Sequence, residues 1–193
     1  MAMMKITHSD SKKQAIVEAA IRLFSQNGLD GTSIKDIARE VGVSDAALYK
    51  HFPSKMALAA EIFVHYLVQY TNLIDYHRTK DCPFPEKLHG LVDDIVDRLQ
   101  NERFGLLLLG QQHELFNEIT CTRRVPLQAA AELVQSGVQT GAIPMQDALL
   151  SASMLIGSML RLAVFTDNGI FPEDMTASRD EIHARIRGLL GLK

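Results

Sequence analysis

Apolar residues recur along this chain at helical rather than alternating intervals. Between Ser11 and Asn27 the set Ile16, Ala20, Leu23 and Phe24 falls at i, i+4, i+7 and i+8, one face of a helix. Ser11 followed by Gln14 reads as a capping box at its start, and Asn27-Gly28 offers a left-handed stop. A second helix opens at Ser33, with Asp36 three residues on, buries Ile34, Ile37, Ala38 and Val41, and ends at Gly42. Ser44 caps a short third helix, Asp45 to about His51, which Phe52-Pro53 terminates because proline lacks an amide donor and restricts the residue before it. From Ser54 the stripe Met56, Ala59, Ala60, Phe63, Leu67, Tyr70, Ile74 runs for about six turns at 3.6 residues each, long enough to join two bodies.

Cys82-Pro83-Phe84-Pro85 interrupts this pattern. Periodic segments follow at Glu86–Leu99, Phe104–Ile119, Pro126–Thr140, Met145–Phe165 and Arg179–Leu190. Pro126 and Pro144 sit where helices start, Gly141 and Asn168-Gly169 where they stop, and Ser178 with Glu181 reads as another capping box. No strand, repeat or low-complexity tract is evident. The expectation is an all-α fold of about nine helices: a three-helix head over residues 1–55 and a helical body over residues 56–193.

Charge sharpens that division. The whole chain is mildly acidic, with 20 Lys+Arg against 23 Asp+Glu, a net charge of −3. Residues 1–55 hold eight basic and six acidic side chains, +2, so the remainder holds −5. An evenly acidic surface would repel nucleic acid, but a basic head on an acidic body need not. Cys82 and Cys121 are too few and too far apart for a disulfide framework or zinc cluster, which fits a reducing cytoplasm. Met1 to Asp10 lacks the apolar core of a signal peptide. Ala148 to Leu160, between Asp147 and Arg161, is shorter than the roughly 20 residues that span a bilayer, so no membrane association is expected.

The informative stretch is Thr32 to Phe52. Two helices meet at a tight turn on Gly42, Val43 can be buried between them, and Leu48 and Phe52 face inward at i and i+4. Asp45, Ala46, Ala47, Tyr49, Lys50 and His51 are left largely outward, the spacing of a helix-turn-helix whose second helix enters the major groove. Thr32-Ser33 and Ser54-Lys55 open helices and present hydroxyls, amides and a cation suited to phosphate. Lys12, Lys13 and Lys35 add long-range attraction. Asp45 either accepts from cytosine or simply complements a helix N-terminus, which is worth about 0.3–1 kcal/mol.

The segment resembles the TetR family of transcriptional regulators through Leu23-Phe24, Gly28, Thr32-Ser33-Ile34, Ile37-Ala38, Val41-Gly42-Val43-Ser44, Leu48-Tyr49, His51-Phe52 and Lys55. The resemblance covers roughly residues 12 to 58. It implies three DNA-binding helices, a fourth that connects them to a helical ligand-binding core, and a dimer built across the last two helices. It also implies that Ser44, Asp45, Ala46, Ala47, Tyr49, Lys50 and His51 form the recognition helix, with Thr32, Ser33, Tyr49, His51 and Lys55 on phosphate. Asp45-Ala46-Ala47 departs from the Lys, Gly or Thr common in relatives, so direct base readout is thin and DNA shape would contribute.

The body carries weaker signals. Met145, Met154, Met159 and Met175 with Phe104, Phe116 and Phe165 are either ordinary core or an adaptable pocket. His65, His113 and Arg161, polar among apolar neighbours, are candidates for ligand specificity, so the expected pocket set is His65, Phe104, His113, Phe116, Met154 and Arg161. Arg161 could instead join two subunits. Small residues Ser151, Ser153, Gly157 and Ser158 in an apolar helix, with the stripe Ile182, Ile186, Leu189, Leu190, suggest a homodimer whose interface includes Ser153, Gly157, Ile182, Ile186 and Leu189. The histidines show no His-His pair at i, i+4, neither cysteine has a second ligand close by, and no catalytic motif appears, so no metal, cofactor or enzymatic activity is expected.

The function these residues support is a ligand-responsive repressor that binds a palindromic double-stranded DNA operator as a homodimer and is released by a small hydrophobic or amphipathic effector. The alternative is a DNA-bound protein-recruiting factor without an inducer. A cavity of several hundred Å³ in the body would favour the first, and a filled core the second.

Overall fold

The computed structural model describes residues 8–111 and 113–192, with side chains from Ser11 onward. Most of Met1 to Asp10, including the expectation about a leader, lies outside that range. Among the described residues there are ten α-helices and no strand: α1 (His8–Asn27), α2 (Ile34–Val41), α3 (Asp45–Tyr49), α4 (Lys55–Thr79), α5 (Phe84–Asn101), α6 (Arg103–Leu109), α7 (Glu114–Cys121), α8 (Pro126–Gln139), α9 (Ala148–Asp167) and α10 (Arg179–Leu189). A 3₁₀ turn, Thr176–Ser178, leads into the last.

Local chemistry sets the head. Ser33 accepts from the Asp36 amide while the Asp36 carboxylate accepts from the Ser33 amide, a complete capping box on α2. Gly42 ends α2 at φ +73°, a left-handed conformation that costs a glycine nothing and any side chain strain. Ser44 then caps α3 through the Ala47 amide, and Ser54 caps α4 through the Ala57 amide. Ile16, Phe24, Ile37, Leu48 and Phe52 close over one another as the centre of this unit.

The helix α4 runs roughly 37 Å at 1.5 Å per residue and belongs to two cores. Its first half, Leu58 to Leu67, completes the core of the head together with Leu108 of α6 and Phe116 of α7. Its second half, Tyr70 and Ile74, joins α5, α6, α8, α9 and α10 in the larger core of the body. The packing of the head therefore extends well past residue 55. On α8, Gly137 lets the Phe84 ring approach so closely that an added Cβ would lie 2.7 Å from it.

Five sequence expectations are corrected. The chain is already helical at His8, so Ser11 lies inside α1 and is not its cap. Met56 is 39% exposed, because the buried stripe of α4 begins at Leu58 and Ala59. Phe104–Ile119 is two helices, broken at Gly110, and the bend lets Gln111 donate to the Phe24 carbonyl at 2.6 Å. Asp147 caps α9 through the Leu150 amide, which leaves Pro144 in the preceding turn. Ser178 has helical dihedrals in its 3₁₀ turn and makes no side-chain cap.

Candidate nucleic-acid interface and ligand cavity

The recognition element is compact. α3 has five residues, and Ser44, Ala46, Tyr49 and Lys50 are exposed while Asp45, Ala47 and His51 are half-buried. Tyr49 is 52% exposed, as its place between the inward-facing Leu48 and Phe52 requires. Lys35 and Lys50 are exposed and make no ion pair with a described residue. Three other cations of the head are already engaged, while Lys12 is exposed like Lys35 and Lys50: Lys13 pairs with Glu61 at 2.7 Å, Arg22 with Glu40 at 2.7 Å and Arg39 with Asp36 at 3.1 Å.

Two expected phosphate ligands turn inward. Thr32 is buried, and its hydroxyl donates to the carbonyls of Gly28 at 2.9 Å and Leu23 at 3.1 Å. The Lys55 ammonium donates to the carbonyls of Leu29 at 2.7 Å and Thr32 at 3.0 Å. Both side chains thus satisfy backbone carbonyls in the last turns of α1 and in the loop between α1 and α2. Lys55 brackets the start of α4 to that loop, a local link between the connecting helix and the recognition unit. Ser33 remains exposed, although its hydroxyl is shared with Asp36.

The body holds a cavity of about 450 Å³. Phe63, Leu67, Tyr70 and Ile74 of α4 form one wall; Leu88, Leu91, Val92 and Ile95 of α5 another; Leu155, Ile156, Met159 and Leu160 of α9 a third. Ile186 and Leu190 close one end, and the segment Thr120–Leu127 between α7 and α8 contributes to the rim. Among the described residues the buried Tyr70 hydroxyl has no hydrogen-bond partner, and burial pushes its ionisation well above the usual tyrosine range. The rim segment is latched by Arg124, which reaches Asp75 of α4 at 2.9 Å and Glu132 of α8 at 2.7 Å. Hydrogen bonds from Arg124 hold both carboxyls below their usual range, against the opposing effect of burial.

None of the six expected pocket residues lines this cavity. His65, Met154 and Arg161 are exposed, with the Arg161 guanidinium lying over the Phe165 ring. Phe104 packs at the edge of the body core. His113 caps α7, accepting from the Leu115 amide at 3.1 Å, and Phe116 stacks on Phe63 inside the core shared with the head. The true lining carries no sequence signal, because apart from Tyr70, Met159 and a few residues where α7 meets α8 it consists of ordinary Leu, Ile, Val, Phe and Ala residues with no distinguishing pattern. Of the methionines in the body, Met159 reaches the cavity, while Met175 is core and Met145 is exposed.

The outer face of α9 is apolar and, among the described residues, left uncovered. Leu149, Leu150 and Met154 are 55%, 61% and 51% exposed, beside exposed Ser153, Gly157 and Ser158. Ile182 and Leu189 are half-buried, but Ile186 is buried as part of the cavity wall and is withdrawn from the expected interface. α9 is also, by length and composition, apolar enough to cross a membrane.

Residues 16–62 match the family of bacterial regulatory proteins, tetR family. Over 46 residues, 24% of this chain and 25% of the relative, the sequence is 48% identical to the biofilm operon icaADBC HTH-type negative transcriptional regulator IcaR of Staphylococcus aureus. The stretches matched in such relatives cover between a fifth and a third of their own length. The fold is shared over nearly the whole chain with solved structures. The fatty acid degradation regulator FadR from Bacillus halodurans aligns at TM-score 0.76 and 22% identity, covering 94% of this chain and 97% of that one. AibR, solved with isovaleryl coenzyme A and operator DNA, aligns at TM-score 0.76 and 18% identity, covering 94% and 100%.

Proposed function

We propose that this chain, whose head is a TetR-family helix-turn-helix domain, is a homodimeric transcriptional repressor released from its operator by an apolar effector carrying a polar or anionic head. The single observation that carries this reading is the cavity of about 450 Å³ walled by the same helix that completes the core of the head. Its volume falls within the range of small-molecule sites and favours an inducer over the partner-recruiting alternative. A repressor role is supported by likeness of the head to a negative regulator, and an acyl-type effector by fold likeness to FadR and to AibR in its acyl coenzyme A complex.

The effector's hydrocarbon part would contact Phe63, Leu67 and Ile74 on α4, and its polar end would meet the Tyr70 hydroxyl or emerge at the rim near Arg123 and Arg124. By binding one tilt of α4 more tightly than the other, it shifts the spacing of two recognition helices that must reach grooves roughly 34 Å apart. The exposed face of α9 would pair with a second copy to set that spacing. The proposed division of labour is a DNA-binding unit over residues 1–55 and an effector and dimer unit over residues 56–193, with Ser33, Ser44, Asp45, Ala46, Ala47, Tyr49, Lys50 and His51 facing DNA.

Selection from a random duplex library, followed by anisotropy titrations with and without acyl coenzyme A thioesters of graded chain length, tests the proposal. Two inverted half-sites about one helical turn apart are expected, with affinity lowered by one band of chain lengths. Failure to enrich any sequence defeats the operator assignment. Enrichment without response to any acyl compound defeats the effector assignment.

A further inference from the structure

Outside the cavity and the head, α5 and α10 bring His89, Asp93 and His183 together. His89 and Asp93 stand at i, i+4 on α5, one turn apart, with His89 Nε2 3.3 Å from Asp93 Oδ2. His183 of α10 is buried, and its Nε2 lies 2.9 Å from Asp93 Oδ1. The two imidazoles stack with centroids 4.1 Å apart and planes 26° from parallel, so both present Nε2 to the same carboxylate. Stacking two imidazoles on one acid brings three potential ligand atoms within 4.8 Å of one another. Arg179 Nη1 also donates to Asp93 Oδ1, at 2.9 Å, so the carboxylate is held by both α10 side chains. Arg179 itself is held by Asp97 as well, which offsets its positive charge beside the cluster.

We infer that His89, Asp93 and His183 form a binding site for a divalent transition-metal ion, with zinc the best match. Two imidazole nitrogens and one carboxylate oxygen are ligands that such ions accept at about 2.0–2.2 Å, and small side-chain rotations would converge the three atoms on one point. A hard ion such as magnesium or calcium, which prefers an all-oxygen shell, is excluded by the two nitrogens. Loading exchanges the His183 Nε2 hydrogen bond to Asp93 Oδ1 and the longer His89 Nε2 contact to Oδ2 for bonds to the ion, and Arg179, which also donates to Oδ1, stays as an orienting partner of the carboxylate. Bound water would complete a tetrahedron.

The consequence is mechanical. An ion here would pin α10 to α5, and these two helices, with Leu190 just past the end of α10, supply Ile186, Leu88, Leu91, Val92 and Ile95 to the cavity wall. Metal would therefore tighten that end of the cavity without touching either the rim or DNA.

The test is a titration of the chelator-stripped full chain with cobalt(II) chloride as a spectroscopic stand-in, then competition by zinc chloride. One cobalt per chain, visible d–d bands and their loss on adding zinc are expected, together with a rise in thermal midpoint. His89→Ala, an exposed substitution expected to fold normally, should weaken cobalt binding at least tenfold, and His183→Gln likewise. His65→Ala, exposed and remote, should change nothing. Absence of stoichiometric bands in the parent chain, or unchanged affinity in both His89→Ala and His183→Gln, overturns the site.

Discussion

Phe63 and Phe116 stack face to face, ring centroids 4.0 Å apart and planes 4° from parallel, and so fasten α4 to α7 where the two cores meet. Phe63 also lines the cavity, whereas Phe116 is packed only within the core of the head. A ligand that displaces Phe63 must therefore move the ring that supports the head. Phe116→Ala is expected to cost about 3–5 kcal/mol of stability, since a buried aromatic side chain is deleted. Phe116→Leu, which retains most of the volume, should keep operator affinity yet lower the ratio of affinities with and without effector. Anisotropy titrations in both states check this, and an unchanged ratio would remove the stacked pair from the coupling route.

Lys55 is a bracket and not a free cation. Lys55→Ala leaves two inward carbonyls without their donor and should destabilise the head by about 1–3 kcal/mol. The salt dependence of operator binding should keep its slope. Lys35→Ala, in contrast, should reduce the slope by about one unit for each phosphate no longer neutralised, and Lys50→Ala should change base preference. Binding measured across a salt series separates the three.

Gly157 has open space around its Cβ direction within the chain. In a monomer, Gly157→Leu would raise helix stability by up to about 1 kcal/mol. In a dimer joined through α9, the same side chain would hold the helices apart. Light scattering should find a folded monomer for Gly157→Leu and a dimer for the parent; a dimeric variant would place the interface elsewhere.

The Arg124 latch predicts an acid limb. Asp75 and Glu132 have carboxyls depressed in the folded state, so their contribution is present above the unfolded values near pH 4 and is lost as pH falls through the lower folded ones. Arg124→Ala should lower the urea midpoint at pH 7 by an amount worth about 1 kcal/mol or less, because the groups are partly exposed. That difference should shrink towards zero as pH falls through the depressed carboxyl values of the folded state. A difference independent of pH would show that Arg124 acts by packing alone.

The head was legible in the sequence because its determinants are local. Ser33 with Asp36, Gly42, Ser44 and the Leu48–Phe52 pair each act within one turn of helix, and each does so in the structure. Direction was the harder matter. Thr32 and Lys55 have the residue types and helix-start positions of phosphate ligands, and only the fold around them shows the carbonyls of Leu23, Gly28 and Leu29 lying within reach. The cavity was illegible for a different reason. A void is defined by side chains that fail to meet, which depends on how α4, α5, α8 and α9 pack and not on any one stretch. Choosing His65 or Arg161 by apolar neighbours in sequence picks residues about 100° away from those neighbours on a helix, and both face outward. The cluster at His89 escaped for want of a long-range signal: its i, i+4 partner is an aspartate, and its third member lies 90 residues beyond Asp93.

The hydrogen bond from Gln111 to the Phe24 carbonyl joins Leu108 of α6 and Phe116 of α7 in tying the head to the body by a route beside α4. The cavity residues Leu106 and Leu109 sit on the helix that leads into that route. Under the proposed function, a ligand pressing on α6 would push on the head without passing through α4, so loosening α4 alone would not silence the response.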